Sequence, residues 1–142
     1  MTQLVDDKIL SGLLQGRAAP ELRPHEAVYT TGYWYVRLCQ AAFSPAVSGT
    51  LSGAFTGLPS RIRSRAMESL LELPAEVGLV SLRTLAPLIG RLRSRHRKLN
   101  LLSIEALAAA IHLDADVFLG TPSPPLQEAL TVEQRQAVVL NG

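Results

Sequence analysis

The chain has 142 residues and a net charge of +2, and 47% of its residues are apolar, which together suit one globular domain with a buried core. Its one cysteine excludes an intrachain disulfide and a cysteine-rich zinc site. Because no apolar run reaches the roughly 18 residues of a membrane span, and acids stand where a secretion signal has basic residues, we expect a single-domain cytoplasmic protein, residues 1–142, with no membrane partner.

The first half of the chain alternates short apolar strands with amphipathic helices. β-Branched and aromatic residues favour the strands, and apolar residues three or four apart favour the helices. Gly16 is expected to close the first helix, since glycine readily adopts the left-handed conformation of a helix end. The predicted elements are a strand at Gln3–Asp7, a helix at Lys8–Gln15, a strand at Ala27–Thr31, a helix at Tyr33–Ala42, and a loop at Ser44–Ser60 that includes a short helix at Val47–Phe55.

The second half continues the same alternation. Pro87 and Gly90 are expected to interrupt a long helical stretch, because proline lacks a backbone donor and glycine costs stability in a helix. The predicted elements are helices at Arg61–Leu73, Arg83–Lys98 and Ser103–Leu113, strands at Val77–Leu82, Asp116–Gly120 and Ala137–Leu140, and one helical turn at Leu126–Leu130. Strands that alternate with helices pair in parallel, so the sequence predicts an α/β fold: a three-layer α/β/α domain with a central parallel sheet of about five strands.

Two adjacent acids, Asp6 and Asp7, end the first predicted strand. Ligands of an open parallel sheet bind beyond the carboxyl ends of its strands, so these carboxylates are placed to hold a divalent cation. The same residues also fit the start of the next helix, where an aspartate caps backbone N–H groups. Both roles stay open, because two adjacent residues can divide them.

Glu105 is the next acid of interest, in a helical segment that is apolar on nearly every face. A buried carboxylate is costly unless it is paired, hydrogen-bonded or bound to a metal. Ser103 fits an N-cap, which would place Glu105 in the first helical turn, where the helix dipole favours a negative charge. The sequence therefore allows Glu105 to be a metal ligand or a residue that stabilises the helix start.

Basic residues gather in two helical stretches, and no acid lies between Glu76 and Glu105. A wide positive surface suits phosphate backbones. A solvated face, or a surface for an acidic partner protein, explains the same residues equally well. No aromatic residues interleave the second stretch, so base stacking on it is not supported. The residues of this Arg-rich surface are Arg61, Arg63, Arg65, Arg91, Arg93, Arg95, Arg97 and Lys98.

Two segments of the chain resemble PIN domains. Leu4-Val-Asp-Asp-Lys-Ile-Leu10 is similar to the opening of that family, whose first strand ends in a metal-binding aspartate. The segment from Leu102 to Leu119 resembles its acid-bearing helix and fourth strand, with the spacing typical of VapC-type toxin ribonucleases of bacterial toxin–antitoxin pairs. The resemblance implies a metal-dependent endoribonuclease, in which acids hold magnesium or manganese and the metal activates a water that cuts RNA.

The acids of the family carry over to this chain only in part. Asp6 matches the first acid, and Glu105 matches the acid at the start of the long helix. The resemblance thus implies that these two carboxylates bind the metal and serve catalysis. Asp7 is the nearest substitute for a missing acid.

At two positions the chain departs from the family. Arg37 stands where the family has a glutamate, and Ser123 or Thr121 stands where it has its last acid. Two remaining carboxylates make a poor cation site, and the permanent charge of Arg37 would disfavour a metal further. We therefore expect Arg37 to pair with Asp6 or Glu105 and hold the site shut.

Three functions follow from these observations. The first is a ribonuclease of the toxin type, with full, reduced or lost activity, which needs magnesium or manganese when active. The second is a non-catalytic PIN-like module that holds nucleic acid or an antitoxin-like protein through the Arg-rich surface. The third is a toxin relic that mainly dimerises or binds an antitoxin, and exposed members of the cluster Tyr29, Tyr33, Trp34 and Tyr35 would favour the homodimer.

Overall fold

The computed structural model describes residues 1–43 and 59–140. In this part of the chain helices cover both faces of one parallel sheet, which confirms the predicted three-layer α/β/α fold. The predicted loop at 44–60, with its short helix at 47–55, lies outside the described residues except for its last two positions.

The strands are β1 (Thr2–Val5), β2 (Ala27–Thr31), β3 (Val77–Val80), β4 (Ala115–Leu119) and β5 (Ala137–Val139). All pairs of neighbouring strands are parallel, in the order β3–β2–β1–β4–β5. β1 is therefore central, and its last residue, Val5, lies beside Phe118 of β4. This order places the turn after β1 next to the turn after β4, and both turns carry residues of the expected site.

The helices of the described residues are α1 (Asp7–Leu14), α2 (Gly32–Phe43), α3 (Ser60–Leu71), α4 (Leu82–Arg93), α5 (Leu101–Leu113) and α6 (Pro124–Val132). Gly16 has a φ of +77°, as expected for the residue that closes α1. None of these described helices combines the length and the apolar content that crossing a membrane requires.

The core lies on both faces of the sheet, because alternate residues of a strand point in opposite directions. Leu4 packs on the face that α4, α5 and α6 cover, and Val5 packs on the face that α1, α2 and α3 cover. The first cluster includes Leu85, Leu107 and Leu130, and the second includes Leu10, Leu38 and Met67. Residues 103–110 of α5 are all buried, which explains why this helix has no polar face.

Two helix predictions were wrong. Pro87 and Gly90 do not interrupt α4, which continues through both and ends at Arg93. Pro87 is exposed, so water can satisfy the carbonyl group that its missing N–H leaves free. The helical turn expected near the end of the chain is the nine-residue helix α6, since Pro124 stands in the first turn, where no backbone donor is needed.

Candidate functional site

Asp6 connects the carboxyl ends of β1 and β4. Its Oδ1 accepts a hydrogen bond from the backbone N–H of Ile9 at 3.0 Å, which caps α1. Its Oδ2 accepts from the N–H groups of Gly120 at 2.9 Å and Thr121 at 3.2 Å. The residue is 1% exposed. Both oxygens are thus engaged by the backbone, and the capping role expected from the sequence is confirmed for Asp6.

The charged form of Asp6 is unfavourable in its buried position. Burial raises the pKa of this carboxyl above its usual value, and the neighbouring Asp7 carboxylate adds to the effect. The three backbone N–H groups oppose the rise without cancelling it. Asp6 therefore binds the loop after β4 and the start of α1 together, and its negative charge has little solvent around it.

Arg37 pairs with Asp7, not with Asp6 or Glu105 as expected. The guanidinium donates from Nε to Oδ2 at 2.8 Å and from Nη2 to Oδ1 at 2.7 Å, a bidentate geometry. This contact forms across the start of α1, where Asp7 is the first helical residue. Asp6 acts on Arg37 through its charge alone, and it helps to raise the pKa of the guanidinium.

Glu105 is completely buried, at 0% exposure. The N-cap of α5 is Asn100, whose side chain accepts from the N–H of Ser103 at 2.8 Å, so the expectation of Ser103 as N-cap was wrong. Either residue type suits an N-cap. Glu105 consequently lies in the second turn, beyond the four orphan N–H groups that make the start of its own helix favourable to an acid.

The partner of Glu105 is the start of a different helix, α2. Its Oε1 accepts from the N–H of Tyr33 at 2.9 Å. Within the described residues, Oε2 has no partner with hydrogen-bond geometry, although the Thr31 hydroxyl and the Gly32 N–H lie close enough to favour the charge. Burial raises the pKa of Glu105 above its usual value despite these groups.

A small cavity of about 160 Å³ lies at the carboxyl edge of the sheet. Asp6 and Arg37 line it, and so does Ser123, which precedes α6 and whose side chain does not cap that helix. Glu105 is not part of the lining. The structure thus brings Asp6, Arg37 and Ser123 to one cavity, as their matched positions imply, and leaves Glu105 outside it.

The donor set does not fit a divalent cation. Asp6 already accepts three backbone hydrogen bonds, and both oxygens of Asp7 bind Arg37. Glu105 faces the start of α2. Across residues 1–43 and 59–140, no three His, Cys, Asp or Glu side chains are grouped as metal ligands. Magnesium prefers several carboxylate, carbonyl and water oxygens in octahedral geometry, and of the oxygens of Asp6, Asp7 and Glu105 only Oε2 of Glu105 lacks a hydrogen-bond partner among the described residues.

The Arg-rich surface divides into structural and free side chains. Arg93 donates to the carbonyl oxygens of Leu99 at 2.5 Å and His96 at 3.4 Å, so it stabilises the turn after α4. Arg95 pairs with Glu133 at 3.1 Å. The remaining described members of the surface are exposed; they are Arg61, Arg65, Arg91, Arg97 and Lys98. The side chain of Arg63 lies outside the described part.

A larger groove, of about 570 Å³, runs between residues 94–99 and α6. Arg97 and Lys98 line it from one side. His96 lines it as well, and its Nε2 lies 2.9 Å from Oε2 of Glu133. No local pattern indicates this pair, because Glu133 stands 37 residues further along the chain. We call the groove lined by His96, Arg97 and Lys98 the basic groove.

The aromatic cluster near the start of α2 is folded into the molecule. Trp34 is 1% exposed, and Tyr29, Tyr33 and Tyr35 are half-buried. The Tyr35 hydroxyl donates to the carbonyl oxygen of Leu71 at 2.6 Å. Packing inside the chain therefore accounts for these residues, and the homodimer expected from an exposed subset has no support from them.

Comparison with known protein families and with curated proteins finds no match for the chain. The functional conclusion consequently depends on the residues and the geometry described above.

Proposed function

We propose that this chain is a PIN-like domain that binds RNA through the basic groove and does not cleave it with a metal. The resemblance of residues 4–10 and 102–119 to PIN domains motivates the family, and the parallel sheet agrees with it. A fold of this kind serves many functions, so the functional part of the proposal has to come from the site.

The hydrogen bonds of Asp6 and Asp7 argue against metal-dependent cleavage. A divalent ion at Asp6 would compete with the three backbone N–H groups for its oxygens, of which Oδ2 already accepts two. Removing those hydrogen bonds would leave buried donors unsatisfied, at a cost of about 1–3 kcal/mol each. Asp7 would have to leave Arg37 as well. Metal binding would thus be opposed by the contacts that hold the turns after β1 and β4.

The basic groove is the observation that carries the proposed binding. Arg97 and Lys98 are exposed, line the groove together, and have no acidic partner within the described chain. Two unpaired cations at one edge of a groove attract phosphate groups. Among the described residues Glu128, on α6, is the one acid in the lining, so the positive charge lies on the side of residues 94–99.

Fluorescence anisotropy with a labelled oligouridine RNA of about 12 nucleotides tests the binding, since single-strand sites span roughly that length. The double variant Arg97→Ala/Lys98→Ala should bind about tenfold more weakly and show a shallower salt dependence, by roughly 0.7 log units per lost phosphate contact. The matched control, Arg17→Ala/Arg83→Ala, removes the same charge from exposed positions outside the groove. Equal weakening of RNA binding by both variants would show that net charge explains the binding, and would contradict a site in the basic groove.

The same RNA incubated with Mg²⁺ or Mn²⁺ tests the other half of the proposal. We expect no metal-dependent cleavage by the unmodified chain. Cleavage that disappears in Asp6→Asn and in Glu105→Gln would overturn the proposal and establish the ribonuclease that the resemblance implies. An absence of both binding and cleavage would instead favour an antitoxin-like protein as the partner of the Arg-rich surface.

A further inference from the structure

His96 lines the basic groove, and its partner Glu133 lies outside the lining; the proposed phosphate contacts do not use this pair. The side chain of His96 is 7% exposed, and that of Glu133 is 15% exposed. Arg95 holds Glu133 from the other side, at 3.1 Å from Oε1. The imidazole ring is therefore fixed in one orientation, because its Nε2 contacts a carboxylate that is itself anchored.

The contact with Glu133 determines which ring nitrogen of His96 carries hydrogen. The hydrogen bond to His96 and the adjacent Arg95 lower the pKa of Glu133 below its usual value, so this side chain is a carboxylate that can only accept. Nε2 must then be the donor. In the neutral ring Nδ1 is left as a bare acceptor.

Nδ1 of His96 is not engaged by any described residue. It makes no hydrogen bond within the parts of the chain that the structure describes, and it is not among the unpartnered atoms sealed from solvent. His96 lines the basic groove beside Arg97 and Lys98. A ligand in this groove would therefore meet two cations that attract phosphate and one acceptor that needs a hydroxyl or amino donor.

We propose that Nδ1 of His96 accepts a hydrogen bond from a ribose 2′-hydroxyl, and that the basic groove thereby selects RNA over DNA. In RNA every ribose carries this hydroxyl donor, close to the phosphates that Arg97 and Lys98 attract. Deoxyribose lacks it. The exposed Pro125 and Val132 form an apolar wall on the opposite side, against which a base can lie. This inference rests on the proposed RNA binding and adds the group that is recognised.

Modified oligonucleotides test the inference without altering the protein. Three probes of equal length, about 12 nucleotides, are compared: oligouridine RNA, its 2′-fluoro analogue, and oligodeoxyuridine. The unmodified chain should bind the RNA about three- to tenfold more tightly than either of the others, the range of one hydrogen bond. Equal affinity for RNA and its 2′-fluoro analogue would overturn the proposal, because only the hydroxyl donor separates these two probes.

Two variants then locate the preference at His96. His96→Phe keeps an aromatic ring and removes the acceptor, so RNA binding should fall to the level of DNA while DNA binding stays unchanged. Glu133→Leu removes the acceptor of Nε2 and should reduce the preference in part. A preference for RNA that survives in folded His96→Phe would overturn the role of this residue, and the modified probes decide the matter if that variant does not fold.

The outcomes also separate this inference from the function on which it rests. Salt-dependent binding of RNA and DNA with equal affinity would retain the proposed function and reject selection by the 2′-hydroxyl. An absence of binding to all three probes would reject both.

Discussion

Asp6 and Glu105 are both buried carboxylates that accept a hydrogen bond from the start of a helix, yet their surroundings differ. Asp6 accepts three backbone N–H groups, shared between its two oxygens. Glu105 accepts one, and its second oxygen has no partner of hydrogen-bond geometry in the described chain. Both oxygens of Asp6 thus accept hydrogen bonds within the fold, whereas only one oxygen of Glu105 does.

This difference shows what a buried acid at the carboxyl edge of a sheet indicates. Burial raises the pKa of both groups, so the pKa alone does not distinguish a structural acid from a metal ligand. The partners of each oxygen do distinguish them. Oxygens that already accept backbone hydrogen bonds are poorly available to a cation. The contribution of each acid to the free energy of unfolding measures how strongly its hydrogen bonds hold the fold.

The largest effect is expected for Asp6→Ala. The change removes the cap of α1 and leaves the N–H groups of Gly120 and Thr121 without their acceptor. We expect a loss of about 3 kcal/mol in the free energy of unfolding, from roughly 1 kcal/mol per lost contact. Urea denaturation measures it.

The control for Asp6→Ala is its neighbour, Asp7→Ala. The side chain of its partner Arg37 is 48% exposed, so losing this pair should cost about 1 kcal/mol or less. A similarly small loss for Asp6→Ala would show that its hydrogen bonds do not hold the turns together.

A smaller, pH-dependent effect is expected for Glu105→Gln. The pKa of Glu105 is above its usual value of 4.5 in the folded chain, so folding favours the protonated form. The contribution of Glu105 to stability is then fully present below the unfolded value and is lost as pH rises through the folded pKa. Relative to the unmodified chain, Glu105→Gln should gain stability as the pH rises above 4.5, the usual pKa of a glutamate.

Urea denaturation at several pH values checks this sign. The matched control is Glu128→Gln, which changes an exposed glutamate. A difference between Glu105→Gln and the unmodified chain that does not change with pH, or that changes in the opposite direction, would contradict the partly satisfied environment described for Glu105.

The smallest effect on stability is expected for Arg37→Gln, which frees Asp7 and costs about 1 kcal/mol or less, because the Arg37 side chain is 48% exposed. Arg37→Gln also tests metal binding. If the backbone contacts of Asp6 keep it from a cation, calorimetric titration with Mn²⁺ should show no saturable binding in this variant. Saturable binding would mean that Arg37, more than the commitment of Asp6, closes the site.

Local patterns predicted most of the fold. The alternation of β-branched runs with amphipathic segments indicated five strands and their parallel pairing, and the bounds of β2 agree with those observed. The errors concern helix ends and interruptions. Asn100 and Ser103 both suit an N-cap, and the sequence alone offers no means of choosing between them. Pro87 stays within α4 because it is exposed there, and exposure is a tertiary property.

The sequence also identified the residues of the candidate site better than it predicted their partners. It indicated Asp6, Arg37 and Ser123 near one edge of the sheet, and all three line one cavity. It paired Arg37 with the wrong acid, since Asp6 and Asp7 are adjacent and only the turn into α1 decides which side chain faces α2. The sequence did not indicate His96 at all, because a histidine without ligand spacing carries no local signal.

The sequence by itself determined the layers of this protein, because hydrophobic periodicity and turn residues act over a few positions along the chain. It also placed Asp6 at the carboxyl end of the first strand and Glu105 in a helix that is apolar on nearly every face. The tertiary structure alone decided what those acids do. Asp6 reaches Gly120 across 114 residues, Glu105 reaches Tyr33 across 72, and His96 reaches Glu133 across 37. Contacts at such separations follow from strand order and helix packing, which no local pattern specifies.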